Sequence, residues 1–312
     1  MNRKVLSSLL FFVALLGYAT AISAQDAAVL NRRPEPNTGD SWKSETVKLQ
    51  LESKLMGRPM PYQVVFPVGY KNKFEEDRRY PVVFLLHGLS GHFDNWISKT
   101  MLVEYAARAN AIIVTPEGGD GWYTDGGANQ SEKWESYIVQ ELIPEIDKRF
   151  RTIPTREKRA IAGLSMGGYG SIKFGLKFPD RFALVGSFSG ALKAAEYTEK
   201  SYPGAIGQTV EHIYGPLGSP VRKANDIFEL LRGQPADSIK KLPYIYLDCG
   251  TEDFLFQDSR DFVSLLIEKK VPHEFRQLPG AHNWKYWDQQ VQEFLKLADR
   301  TFATPMSAVS AN

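Results

Sequence analysis

The segment Gly163-Leu164-Ser165-Met166-Gly167 places a serine between an apolar run, Ala160-Ile161-Ala162, and a helical stretch. A G-x-S-x-G pattern in that setting reads as a tight strand-to-helix turn. Its serine is pushed up in a strained conformation, with the hydroxyl exposed near a helix N-terminus where an anion is favoured. The two glycines fall where such a turn crowds the chain. A phosphate loop is excluded, because the lysine and hydroxyl of G-K-[ST] are missing.

A serine hydroxyl is a weak nucleophile near neutral pH and needs a histidine held by a carboxylate, in the chain order serine, acid, histidine. The apolar run Tyr244 to Leu247 leads into Asp248-Cys-Gly-Thr-Glu-Asp253. Asp253 lies just past the strand end and can reach back toward a base, with Asp248 and Glu252 as rivals. Of the five histidines, His282 lies in Pro279-Gly-Ala-His-Asn-Trp284, between the last strand and the final helix. His273 falls within a strand-like run, His212 in a loop-rich segment and His92 in a polar turn. His87 is expected to brace its loop. An oxyanion needs two donors, for which the Met166 amide and the Leu89 amide, turned inward by Gly88, are the candidates. No HExxH or clustered ligand spacing points to zinc, and the single cysteine, Cys249, excludes an intramolecular disulfide or a CxxC site. No cofactor is expected.

These residues need a frame. Val47, Leu49 and Leu51 alternate with polar residues, and Tyr62 to Phe66 suits an antiparallel partner across Gly57-Arg58-Pro59. Continuous apolar runs at 82–86, 111–114, 160–162, 183–186 and 244–247 read instead as parallel strands covered on both faces. Helical stripes lie between and after them, at Trp134, Ile138, Leu142, Ile146 and Phe150, at Phe262, Leu265 and Leu266, and at Trp287, Val291, Phe294, Leu295 and Ala298. Pro144 should kink or restart the first of these. The expected fold is α/β: a mostly parallel central sheet with helices on both faces and an antiparallel N-terminal strand pair. Residues 191–220, rich in Tyr, Pro and Gly, read as a loop-like insertion that could cap the site.

With 312 residues, 43% hydrophobic and 24% charged, one domain with a large core is expected. The start of the chain has Arg3 and Lys4, an apolar run from Val5 to about Leu16 and small residues ending at Ala24, the pattern of a signal peptide over 1–24. A flexible leader over 25–44, a domain over 45–302 and a tail over 303–312 follow. Both excess charges of the +2 total, Arg3 and Lys4, would leave with the signal, so no nucleic-acid partner is indicated. The expected location is secreted or periplasmic, with no membrane span after cleavage.

Taken together, LLHGLSGHFDNW, GWYTDGG, ELIPEIDKRF, GLSMGGYGS, DCGTEDFL and PGAHNWKYW resemble the esterase D-like branch of the α/β-hydrolases. That branch includes S-formylglutathione hydrolases, feruloyl and tributyrin-type esterases and mycolyltransferases. The resemblance implies Ser165, Asp253 and His282 as a catalytic triad and Leu89 and Met166 as the oxyanion hole. It also implies that Trp96, Trp122 and Tyr123 border an acyl or alcohol pocket. The function implied is a serine carboxylic ester hydrolase acting on a small or polysaccharide-linked ester, with short-acyl, acetylated-sugar and feruloyl esters in view. The alternatives are an acyltransferase of the mycolyltransferase type and an S-formylglutathione hydrolase-like thioesterase, the latter disfavoured because its substrate is cytosolic.

Overall fold

The structure, a computed structural model, describes residues 44–126 and 131–303. Of the signal expected over 1–24, the leader over 25–44 and the tail over 303–312, all but Ser44 and Ala303 lie outside the described residues. An eight-stranded sheet is ordered β1 (Thr46–Ser53), β2 (Arg58–Val65), β4 (Ile112–Pro116), β3 (Val82–Leu86), β5 (Arg159–Leu164), β6 (Leu184–Phe188), β7 (Tyr244–Gly250) and β8 (His273–Leu278). The pairs β1–β2 and β2–β4 are antiparallel and all others parallel.

Strands β3 to β6 are buried at every residue, as the apolar runs within them require, and Thr115, Arg159 and Ser187 are buried with those runs. Alternate side chains enter two cores. Val82, Phe84, Leu86 and Ile161 pack on one face, and Val83, Leu85, Ala160 and Ala162 on the other. Each fully buried aliphatic or phenyl side chain stabilises by about 1.5–3 kcal/mol. Strand β2 begins at Arg58, earlier than the sequence suggested, and contains Pro59 and Pro61. The two prolines alternate, so their missing N–H groups face one side, that of the Pro61 carbonyl that accepts from Glu117 N–H. The β4 ladder on that side covers only Tyr62 to Val65.

The helices are α1 (Asn95–Lys99), α2 (Leu102–Ala106), α3 (Trp134–Ser136), α4 (Ile143–Arg149), α5 (Met166–Lys177), α6 (Ala205–Tyr214), α7 (Pro220–Asn225), α8 (Ile227–Arg232), α9 (Ala236–Ile239), α10 (Phe256–Glu268) and α11 (Trp284–Ala303). Between α3 and α4 the chain widens into a π turn over Tyr137–Leu142, just ahead of Pro144 at the start of α4. The proline has no N–H to give to the preceding turn, so the stripe continues through a wider turn and the helix restarts. The segment 191–220 is more ordered than its loop-like sequence suggested. Helix α6 opens after Gly204 (φ +84°) and closes at Gly215 (φ +74°), and buries Val210, Ile213 and Tyr214. Among the described residues no helix is long and apolar enough to cross a membrane.

Candidate active site

Ser165 joins β5 to α5 with φ +53° and ψ −116°, a sparsely populated conformation for a residue with a Cβ. It is held there from both sides. Its N–H donates to Phe188 O at 2.9 Å, and its carbonyl accepts from Ala191 N–H at 3.1 Å. The glycines of the motif are required by contact. A Cβ on Gly163 would lie 2.5 Å from the Gly167 carbonyl, and one on Gly167 would lie 2.6 Å from both His87 O and Leu86 O.

His282, in the loop between β8 and α11, places Nε2 3.0 Å from Ser165 Oγ and Nδ1 2.9 Å from Asp253 Oδ2. Asp253 Oδ1 also accepts from Leu255 N–H at 2.9 Å. Burial pushes the Asp253 carboxyl up, but the hydrogen bond and charge of His282 and the Leu255 amide outweigh it, and the group stays below the usual carboxylate range. With Asp253 ionised, Nδ1 carries the imidazole proton, so Nε2 is the acceptor for the Ser165 hydroxyl.

The two rival acids do other things. Glu252 ties the Asp253 loop to the His282 loop: its side chain accepts from Gly280 N–H, and its own N–H donates to Gly280 O at 2.9 Å. Asp248 is fully buried in β7, where desolvation drives its carboxyl well above the usual range despite nearby Tyr246, Tyr286 and Arg276. Folding therefore takes up a proton at Asp248. That costs stability as pH rises above the unfolded value near 4 and further toward the folded value. Asp248→Asn should accordingly raise Tm at pH 8 relative to the parent. The gain should vanish near pH 4 in thermal melts, and an equal gain at both pH values would show that Asp248 is not protonated in the fold.

Met166 opens α5, where the first N–H groups have no acceptor within the helix. Leu89 follows Gly88, whose Cβ, if present, would lie 3.4 Å from Ser165 Cβ, so the 88–92 loop runs directly against the serine turn. His87 braces this loop, as expected: it is buried, Nδ1 lies 2.7 Å from Gly88 O, and Nε2 accepts from Gly118 N–H at 2.8 Å.

The expectation that Trp96, Trp122 and Tyr123 border a pocket meets a different placement. All three are at most 1% exposed. Trp96 Nε1–H donates to Leu86 O at 3.0 Å, Trp122 Nε1–H to Thr209 Oγ1 at 3.0 Å, and Tyr123 O–H to His87 O at 3.0 Å. Their polar hydrogens find partners inside the protein, so their rings hold the loops together. The aromatic ring that does reach solvent beside His282 is Phe254, 56% exposed with its centroid 4.7 Å from the imidazole. Its only signal in the sequence is an apolar residue directly after Asp253.

A groove of about 580 Å³ opens at the same end of the sheet. Its walls include His92, Glu117 and Asp120, together with Arg58, Gln208 and His212. Asp120 Oδ1 accepts from Ser90 N–H at 2.6 Å, which joins the groove to the 88–92 loop. It is not legible in the sequence, because its residues come from β2, the loops after β3 and β4, the start of α3, and α6. Among the described residues no group of three or more His, Cys, Asp or Glu side chains could hold a metal.

Comparison with known proteins agrees with this architecture. The family model described as "Putative esterase" matches residues 53–297. The chain is 27% identical over 253 residues to an acetyl esterase of Caldicellulosiruptor saccharolyticus, covering 78% of this chain and 94% of that protein. Among solved structures it is similar to FphF, a fluorophosphonate-binding serine hydrolase of Staphylococcus aureus, with a TM-score of 0.72 and 27% identity over 82% of this chain and 98% of that one. It is also similar to a ferulic acid esterase, with a TM-score of 0.73 and 27% identity over 84% and 100% of the two chains. The match from strand β1 to the last helix means that the chain belongs to this esterase family of α/β-hydrolases and is a carboxylic ester hydrolase.

Proposed function

We propose that the protein hydrolyses esters through an acyl-serine intermediate, with Ser165 as nucleophile, His282 as general base and acid, and Asp253 as the carboxylate that orients it. The observation that carries this reading is the chain of hydrogen-bonding distances from Ser165 Oγ through both imidazole nitrogens to Asp253. His282 takes the serine proton as Oγ attacks the carbonyl. The Leu89 and Met166 amides hold the oxyanion, and His282 then protonates the leaving alcohol. Water repeats the cycle on the acyl-Ser165 intermediate.

For the substrate, we infer an ester of a short acyl or feruloyl group with a sugar hydroxyl. The groove alongside the 88–92 loop supports a neutral polyol on the alcohol side. Glu117, Asp120 and Glu132 outnumber Arg58 there, which disfavours an anionic ligand, while Gln208, Thr209 and the two imidazoles offer mixed donors and acceptors. The basic, apolar and small-residue start over 1–24 supports export, where such polymers occur.

The test is a panel of p-nitrophenyl esters from acetate to decanoate, methyl ferulate and acetylated xylo-oligosaccharide, each with and without added alcohol. The expected result is hydrolysis that is faster, by about tenfold or more in kcat/KM, on the oligosaccharide acetate than on p-nitrophenyl acetate. Free acid should be the main product. Predominant transfer to the alcohol would replace hydrolase by acyltransferase, and a preference for small aryl esters would remove the sugar from the reading.

A further inference from the structure

Lys173 is the most unusual side chain outside the site just described. It lies on α5, two turns beyond Ser165, and is fully buried. Burying an ammonium is costly unless it is hydrogen-bonded and paired with an opposite charge, and here it is both. Nζ donates to Tyr123 O at 2.6 Å and to Thr124 Oγ1 at 2.5 Å, and pairs with Glu135 at 3.1 Å. Burial nevertheless pulls the amine down to about 8, against the raising effect of Glu135.

What the lysine grips is a strained stretch. Trp122 and Tyr123 are consecutive non-glycine residues with φ of +52° and +50°. The Tyr123 ring is wedged between two positions that only glycine can fill: a Cβ would lie 2.4 Å from the ring at Gly118 and 2.7 Å from it at Gly170 of α5. At the far end of the same residue, the Tyr123 hydroxyl donates to His87 O, and Gly118 N–H donates to His87 Nε2. His87 is directly followed by Gly88 and Leu89. A continuous path of three residues, Lys173, Tyr123 and His87, therefore runs from α5 to the 88–92 loop. The Met166 amide opens the first of these elements and the Leu89 amide lies in the second.

We propose that Lys173 and Tyr123 form a positioning pair that fixes the separation of the Leu89 and Met166 amides, and so sets the geometry in which an oxyanion is bound. This rests on the serine mechanism proposed above. Neither residue touches substrate. Their effect is on the transition state, because a donor displaced by a fraction of an ångström still admits the ground-state ester but no longer meets the developing charge.

The test uses Tyr123→Phe, Lys173→Met and their combination in the full chain, with Tyr214→Phe as a control. Tyr214 belongs to the same buried network, donating to Tyr169 O–H at 2.8 Å, but does not lie on the path to His87. The readouts are kcat and KM on p-nitrophenyl acetate, Ki for phenylboronic acid as a tetrahedral-adduct mimic, and Tm. Tyr123→Phe and Lys173→Met are each expected to lower kcat about tenfold to a hundredfold and to raise Ki by a similar factor, with KM within about twofold. The double variant should be no worse than the worse single one, since both cut one path. Tyr214→Phe should lower Tm without that loss.

Variants with kcat and Ki within about twofold of the parent would overturn the pairing and leave only a structural role, as would a Tyr214→Phe variant that loses as much as Tyr123→Phe. If Lys173→Met does not fold, Tyr123→Phe alone decides. A parent with no Ser165-dependent turnover overturns the serine mechanism and this proposal together, whereas an active parent with unaffected variants overturns only this proposal.

Discussion

Replacing Ser165 by alanine is expected to reduce kcat on p-nitrophenyl acetate by about 10⁵–10⁶-fold, the scale seen when a triad nucleophile is removed. In the proposed mechanism the serine is the one group that forms a bond to the acyl carbon, and its Oγ lies 3.0 Å from the imidazole that would take its proton. The fold should survive, because the Ser165 contacts that shape the turn are made by its backbone, to Phe188 O and Ala191 N–H. Alanine keeps the backbone strain of φ +53°, whereas Ser165→Gly relieves it. The glycine variant should therefore be equally inactive but more stable than the alanine variant, by about 1–3 kcal/mol. Kinetics and thermal melts of both variants read this. Residual activity above about 1% in either would mean that another group attacks the ester.

Asp253→Asn is expected to lower kcat by about 10⁴-fold with little change in KM. The amide can present N–H to His282 Nδ1, which reverses the imidazole tautomer and leaves a proton on the nitrogen that faces Ser165. Asp248 is placed too poorly to replace it: it is fully buried within β7, and desolvation pushes its carboxyl well above the usual range. A variant retaining more than about a tenth of the parent's kcat would show that a neighbouring acid serves instead. The same carboxylate adds a pH dependence. Asp253 is held below its ordinary range, so its contribution to stability is present above the unfolded value near 4 and disappears as pH falls through the lower folded value. Parent and Asp253→Asn melts should converge in acid and separate toward neutrality.

Local rules of the chain sufficed for much of this. Unbroken apolar runs announce strands covered on both faces, because no partly exposed strand could carry them, and β3 to β6 are buried throughout. The Gly163 and Gly167 spacing announces a turn in which any other residue would strike the backbone of Leu86, His87 or the turn itself. Pro144 announces a break in a helical stripe, though not that a π turn would carry the stripe across it. The positions of Ser165, Asp253 and His282 relative to their strands and helices were also legible, because a side chain at the carboxyl end of a parallel strand has few places to go.

The side chains whose burial depends on distant partners were not legible. A tryptophan at 96 or 122 and a tyrosine at 123 read equally as pocket walls or as packing. The decision lies with Leu86 O, Thr209 and His87 O, which come from other segments and accept their polar hydrogens. Asp248 and Asp253 stand five residues apart with identical chemistry, yet burial among tyrosines pushes one carboxyl well up while the imidazole beside the other holds it below the usual range. Lys173 in a helix would ordinarily be solvated, and only the fold brings Tyr123, Thr124 and Glu135 around its ammonium. The sequence by itself determined which residues could react and which elements carry them, since backbone sterics and apolar periodicity act within a few residues. The tertiary structure decided which polar groups are buried, charged or paired, because desolvation and hydrogen bonding depend on atoms that the chain brings together from far apart.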